Sequence, residues 1–207
     1  IETRLQLQSL QNEQPVTPDE LKAHQKLQLV SFEERDQVLR PMAEAGQEAT
    51  GSMGDDTPMA VLSQRVRHVA DFFRQKFAQV TNPPIDPLRE AIVMSLETCI
   101  GAEKNVFDEQ PDHAERIILT SPVISPLKFH GLKNTGNKAF KHVTVKLAYK
   151  AEVGLKAAIE AVSAEVEQQV RDGAVIVILS DRHVAPGELI IPAAMATGAV
   201  HHPLVAK

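Results

Sequence analysis

Val143-Thr-Val-Lys-Leu-Ala-Tyr149, the stretch from Leu155 to Val170, and Ala174-Val-Ile-Val-Ile-Leu179 decide the fold of this chain. In the first, Val143, Val145, Leu147 and Tyr149 alternate with Thr144, Lys146 and Ala148, the period of a half-buried strand. In the second, Leu155, Ile159, Val162, Val166 and Val170 recur at helical spacing, and Asp172-Gly173 ends the helix they define. The third is an unbroken apolar run, suited to a parallel strand buried on both faces. Strand, helix and strand in that order predict a βαβ crossover, right-handed by rule. The fold expected is α/β, with a helical N-terminal half followed by βαβ units around a small, mostly parallel sheet.

Outward from this unit the pattern changes. Leu189 to His201 is rich in alanine and predicts a closing helix. Thr135-Gly136-Asn137 is a turn, Ser125-Pro126 opens a brief helical turn, Arg116–Thr120 suits a short strand, and a short helix follows Gln110-Pro111. Asp86-Pro87 starts a helix with Leu88, Ile92, Leu96 and Ile100 on one face and Gly101 beyond its end. Leu62, Val66, Val69, Phe73 and Phe77 form another amphipathic stripe, with Thr57-Pro58 as its cap. Gly46 to Pro58 is a loop. Thr17-Pro-Asp-Glu20 and Ser31-Phe-Glu-Glu34 both have capping-box spacing, predicting helices to about Gln28 and to near Gly46. Residues 1–16 are Gln-rich and weakly patterned. The division expected is a linker and N-terminal helix over 1–31 and one domain over 32–207.

The 207 residues are 43% hydrophobic, enough for a sizeable core. A formal charge of −5 argues against nucleic acid, whose phosphates call for a basic stripe. No run approaches the ~18–20 apolar residues of a membrane helix, and no signal peptide opens the chain. One cysteine allows neither an internal disulfide nor a thiolate metal site. These features predict a cytoplasmic protein.

Few residues suggest chemistry. Ser180, Asp181, Arg182 and His183 follow the best strand, at the end where α/β folds collect ligand and catalytic groups. They read as a possible lyase or aldolase site built on Asp181, Arg182 and a histidine, or as a loop tied together by its own charges. Adjacent His201 and His202 lack the i, i+4 spacing of a helical zinc pair and have no completing Cys or carboxylate, so they read as structural. Asp55 and Asp56 lack the alternating oxygen ligands of a Ca²⁺ loop and read as helix caps. Cys99, beside the Ile92/Leu96/Ile100 stripe, is expected to be a buried small hydrophobe on a helix. No phosphate-binding glycine motif is present.

Phe77-Ala-Gln-Val-Thr-Asn-Pro-Pro-Ile-Asp-Pro-Leu-Arg-Glu90 is a stiff, polar loop between two helical segments. Pro83, Pro84 and Pro87 fix three φ angles, and Asn82, Pro83 and Asp86 are pushed toward extended conformations. Together with Gly51-Ser-Met-Gly-Asp-Asp-Thr-Pro58, Ser180-Asp-Arg182 and Ala196-Thr-Gly-Ala-Val-His-His202, this loop resembles the central domain of the glutamate synthase large subunit. The four words occur in the family's order, and the resemblance runs from about Phe32 to the C-terminus. Leu132–Val143 carries no family word.

The resemblance implies a fold like a partial (β/α) barrel, in an excised piece truncated at its C-terminus. It implies a non-catalytic domain joining a glutamine amidotransferase domain to an FMN-binding synthase domain, and a wall of the ammonia tunnel between them. Thr81 and Asn82 match the family's residues at the tunnel constriction. Partners would be those two domains of the same polypeptide and a small subunit. FMN and an iron–sulfur cluster would belong to the parent enzyme, whose electron donor is NADPH or ferredoxin. This chain would carry no cofactor and be inactive alone. A stand-alone lyase or aldolase, and a pure interaction module, are the readings that compete with it. Activity or bound ligand in the isolated chain separates the first; a stable complex without turnover separates the second.

Overall fold

A computed structural model describes residues 16–49, 60–64 and 84–206. Two compact units divide the chain: one comprises residues 2–99 with 118–132, the other 100–117 with 133–207. The fold is mixed, helices with small sheets, in keeping with the α/β class.

In the first unit, α1 (Pro18–Leu27) begins with the expected capping box. Glu20 N–H donates to Thr17 Oγ1 at 3.3 Å, and Thr17 N–H donates back to Glu20 Oε2 at 2.9 Å. The Thr17 backbone N–H, then the Thr17 hydroxyl, which donates to Glu20 Oε2 at 2.8 Å, hold the Glu20 carboxyl below its ordinary range. Ser31 Oγ accepts from Glu34 N–H at 3.0 Å, again as the spacing predicts. The helix it opens is wound as a π-helix over Glu34–Leu39 before α2 (Arg40–Ala45), an irregularity that carries no sequence signature. Gly46 ends α2 at φ +61°. A Cβ there would lie 2.2 Å from the Thr120 carbonyl oxygen, so only glycine allows the approach.

α3 (Pro87–Val93) is shorter than the Leu88–Ile100 stripe predicts. Leu96 N–H donates to the Gly46 carbonyl rather than up its own helix, and Ser95 Oγ takes the Glu97 N–H. Local side-chain and cross-loop bonds thus outcompete the helical ladder. Leu88 and Ile92 are 88% and 78% exposed, so no buried face prolongs the helix. The chain becomes extended as β1 (Thr98–Ile100), which pairs with β2 (Ile117–Leu119); through these strands it passes from one unit to the other and back. Cys99 therefore stands on a strand and is exposed, not buried on a helix. α4 (Pro126–Lys133) is a full two turns where the sequence suggests one, with Gly131 and Leu132 buried.

In the second unit, Pro111–Ala114 forms the expected short helix, of 3₁₀ type. The alternating run then splits in two. β3 (His142–Lys146) pairs parallel with β5 (Ile176–Ser180), in register from His142↔Ile176 to Lys146↔Ser180. β4 (Ala148–Lys150) pairs antiparallel with β6 (Glu188–Ile190). Leu147, between them, serves both ladders: its N–H donates to the Ser180 carbonyl and its carbonyl accepts from Ile191 N–H. Among the described residues the strands accordingly form small two-stranded pairs rather than one mostly parallel sheet.

α5 (Leu155–Arg171) supplies the predicted crossover between β3 and β5. Gly173 N–H bonds to Val170 O and Ala174 N–H to Gln169 O, so the helix ends in a Schellman motif where Asp172-Gly173 predicts a stop. α6 (Ala193–Ala206) starts later than Leu189. Pro192 bars Ile191 from helical angles, which leaves Glu188–Ile190 free to be a strand. Pro203 lies inside α6 and has no N–H for the Ala199 carbonyl. Ser163 Oγ of α5 donates to that carbonyl at 3.1 Å, satisfying the group the proline orphans. Val145, Leu147, Ala158, Val162, Val166, Ile191, Ala196 and Val200 form the core.

Candidate functional site

Of the proline-braced loop the described residues begin at Pro84; Thr81 and Asn82 lie outside them, as do Asp55, Asp56 and the Thr57-Pro58 cap. The described part is its anchor. Asp86 is extended (φ −75°, ψ 156°), as a residue before proline must be, and its Oδ1 accepts from Leu88 N–H and Arg89 N–H at 3.0 Å each. With Pro87 as first helical residue, the loop enters α3 at a set angle.

The second candidate is the carboxyl end of the parallel pair. Ser180 closes β5, and its hydroxyl accepts from Arg182 N–H at 3.3 Å, a local turn rather than a nucleophile held by a base. Asp181 is half-buried, while Arg182 and His183 are exposed. His183 sits at φ +60°. Among the described residues no hydrogen bond joins Asp181 to a histidine, so the lyase geometry is not assembled there.

The charges that do meet at this end escape sequence reasoning. Lys146 Nζ, at the end of β3, donates to both carboxylate oxygens of Glu188, at 3.0 and 2.8 Å. Ala185 N–H adds a bond to Glu188 Oε2 at 2.9 Å. Lys146, then the Ala185 amide, hold the Glu188 carboxyl below its ordinary range. Alternation marks Lys146 as outward-facing, but its partner stands on β6, which reads as helix in the sequence. The pair clips β6 to β3; each group is satisfied by the other, so neither is poised for acid–base work.

His201 and His202 are exposed on α6 with ring centroids 5.6 Å apart. Among the described residues no group of three or more His, Cys, Asp or Glu side chains could hold a metal ion. An iron–sulfur cluster needs three or four thiolates, and this chain has one cysteine, so its residues do not fit that group. No helix among the described residues is long and apolar enough to cross a membrane.

The profile of the glutamate synthase central domain matches residues 23–207. The chain is 42% identical over 190 residues to a glutamate synthase [NADPH] large chain of Azospirillum brasilense, covering 90% of this chain and 12% of that one. It is 38% identical over 199 residues to a glutamate synthase [NADH] of Schizosaccharomyces pombe, covering 92% and 9%. Against a ferredoxin-dependent, chloroplastic glutamate synthase of Oryza sativa subsp. japonica it is 39% identical over 186 residues, covering 88% and 12%. The chain thus spans about a tenth of the length of these relatives.

Proposed function

The chain belongs to the glutamate synthase central-domain family, and from that premise we propose that it is the non-catalytic central domain of a glutamate synthase large subunit. In this reading it joins the amidotransferase domain, which releases ammonia from glutamine, to the FMN-binding domain, which uses that ammonia to make glutamate. The match over residues 23–207 carries the proposal. A small subunit as further partner, a cytoplasmic location, a boundary between residues 31 and 32, and kinship to a partial (β/α) barrel belong to it as well. The β3–α5–β5 crossover supports the last of these. Flavin and iron–sulfur chemistry is assigned to the rest of the parent polypeptide, and this domain alone is inactive.

Thr81 and Asn82 line the ammonia passage at its constriction. Three prolines stiffen their loop and the Asp86 cap ties its far end to α3. A hydroxyl and an amide offer neutral hydrogen-bond partners to ammonia. A carboxylate would favour the protonated ion and trap it.

The test is Asn82→Leu in the full-length enzyme. Glutamate formation from glutamine falls, while formation from added ammonia survives better, because external ammonia need not cross the constriction. Glutaminase activity shifts too if the loop carries a signal between the sites. An unchanged ratio of glutamine hydrolysed to glutamate formed, with both activities at the parental level, would overturn the assignment.

A further inference from the structure

Val106 and Phe107 are 79% and 94% exposed, on a loop braced by several of its own polar side chains. Asn105 Oδ1 accepts from Phe107 N–H at 3.1 Å and the Asn105 carbonyl from Asp108 N–H at 3.0 Å. Gln110 Nε2 donates to Asp108 Oδ1 at 3.0 Å, the His113 ring lies 2.7 Å from the Asp108 carbonyl, and Lys104 pairs with Asp112 at 3.0 Å. At the base of the loop, the Arg116 guanidinium bonds the Ala102 carbonyl. The loop is held by its own polar groups and leaves Val106 and Phe107 outside the core.

We propose that Val106 and Phe107 are a docking knob that seats in an apolar pocket on another domain of the same polypeptide. This rests on the reading of the chain as one domain of a longer glutamate synthase chain. Pre-ordering the loop removes much of the entropy loss on docking, and a rigid aromatic side chain is the kind of anchor that dominates small interfaces. Glu103, Asp108 and Glu109 flank the knob in sequence and are exposed, while the one cation among them, Lys104, is paired with Asp112, so a receiving pocket with a basic rim suits it.

Size decides between a tethered and a free occupant. A stable complex with a separate protein must bury about 1,000 Å² or more, far beyond two side chains. A domain of the same chain is presented at about millimolar effective concentration, where so small a patch suffices. The relatives, about ten times longer than this chain, have such domains to offer.

The experiment is maleimide labelling of Phe107→Cys, with Cys99→Ser, in the full-length polypeptide, read by mass spectrometry of the loop peptide. Labelling about tenfold or more slower than in the denatured protein, and independent of concentration, is the expected result. Labelling as fast as in denaturant overturns the proposal. Protection that disappears on dilution also overturns it, since a second copy would then cover the knob. Hydroxyl-radical footprinting of Phe107 in the unsubstituted protein gives the same reading if the variant fails to assemble. None of these outcomes depends on ammonia transfer, so a failed knob and a failed Asn82 assignment are told apart.

Discussion

In the C-terminal unit Val145, Leu147, Val166 and Ile191 are each no more than 1% exposed, whereas α1, the π-helix, α2 and α3 of the other unit bury none of their residues. The first region is held by a core in which α5 and α6 pack with the β3–β5 and β4–β6 pairs. Among the described residues of the second, α1, the π-helix, α2 and α3 are joined by single polar links. These are the Thr17 and Asp86 caps, the Leu96–Gly46 and Glu48–Met94 backbone bonds, and the Ser121 hydroxyl on the Met42 carbonyl. Apolar burial adds up over many contacts, while each cap or turn bond is worth only about 1 kcal/mol. One sequence thus uses two means of support, and they should fail differently when perturbed.

Truncating the core gives the largest contrast. Leu147 is fully buried and its backbone serves two ladders, so Leu147→Ala should destabilise by about 2–5 kcal/mol. Leu88→Ala, at a side chain 88% exposed, should stay within about 0.5 kcal/mol. Urea unfolding midpoints measure both, and equal losses would dissolve the distinction between the regions.

The N-terminal region should instead be sensitive at its close backbone approaches. Gly46→Ala drives a Cβ into the Thr120 carbonyl at a left-handed φ, a loss of about 3 kcal/mol. Gly136 has a similar φ of +65° but open space around it, so Gly136→Ala should lose only about 1 kcal/mol, the left-handed term alone. The same denaturation experiment ranks them. If the two alanine variants match, the Gly46–Thr120 approach is not a constraint.

The smallest effect is electrostatic. Glu188 has its carboxyl lowered by Lys146 and the Ala185 amide, so folding favours its ionised form. The stability this contributes is complete above the ordinary glutamate range. It is lost as pH falls from that range through the lower value in the folded protein. Melting temperatures of the parent and Glu188→Gln should therefore differ by a constant amount near neutrality and converge in acid. A gap that persists undiminished at low pH would show that Lys146 does not act through the charge of Glu188.

Much of this was legible in the residues. The Thr17 capping box, the Ser31 hydroxyl on Glu34 N–H, the Asp86-Pro87 start, the α5 stripe and its Asp172-Gly173 stop stand where the spacing puts them, because caps and turns are decided by neighbours in sequence. The misreadings share a cause. The helix drawn through Cys99 fails because Leu96 N–H finds Gly46, about fifty residues away in the chain, and the Leu189 helix start fails because Pro192 leaves β6 free to pair with β4. Of the candidate site, Asp181 and Arg182 were readable as the loop after a strand, while the Lys146–Glu188 clip needs partners 42 residues apart.

The sequence by itself determined the family, through four short words in order, and the local elements, through caps, periodicity and prolines. Each of these depends on residues within a few positions of one another. Only the tertiary structure decided that one alternating run serves a parallel and an antiparallel ladder, and that Ser163 answers the carbonyl orphaned by Pro203. It also decided that Cys99 faces out and that Phe107 is left on the surface by a loop that holds itself together. Those features depend on which distant groups compete for the same hydrogen bond or the same apolar contact. That competition is settled in three dimensions.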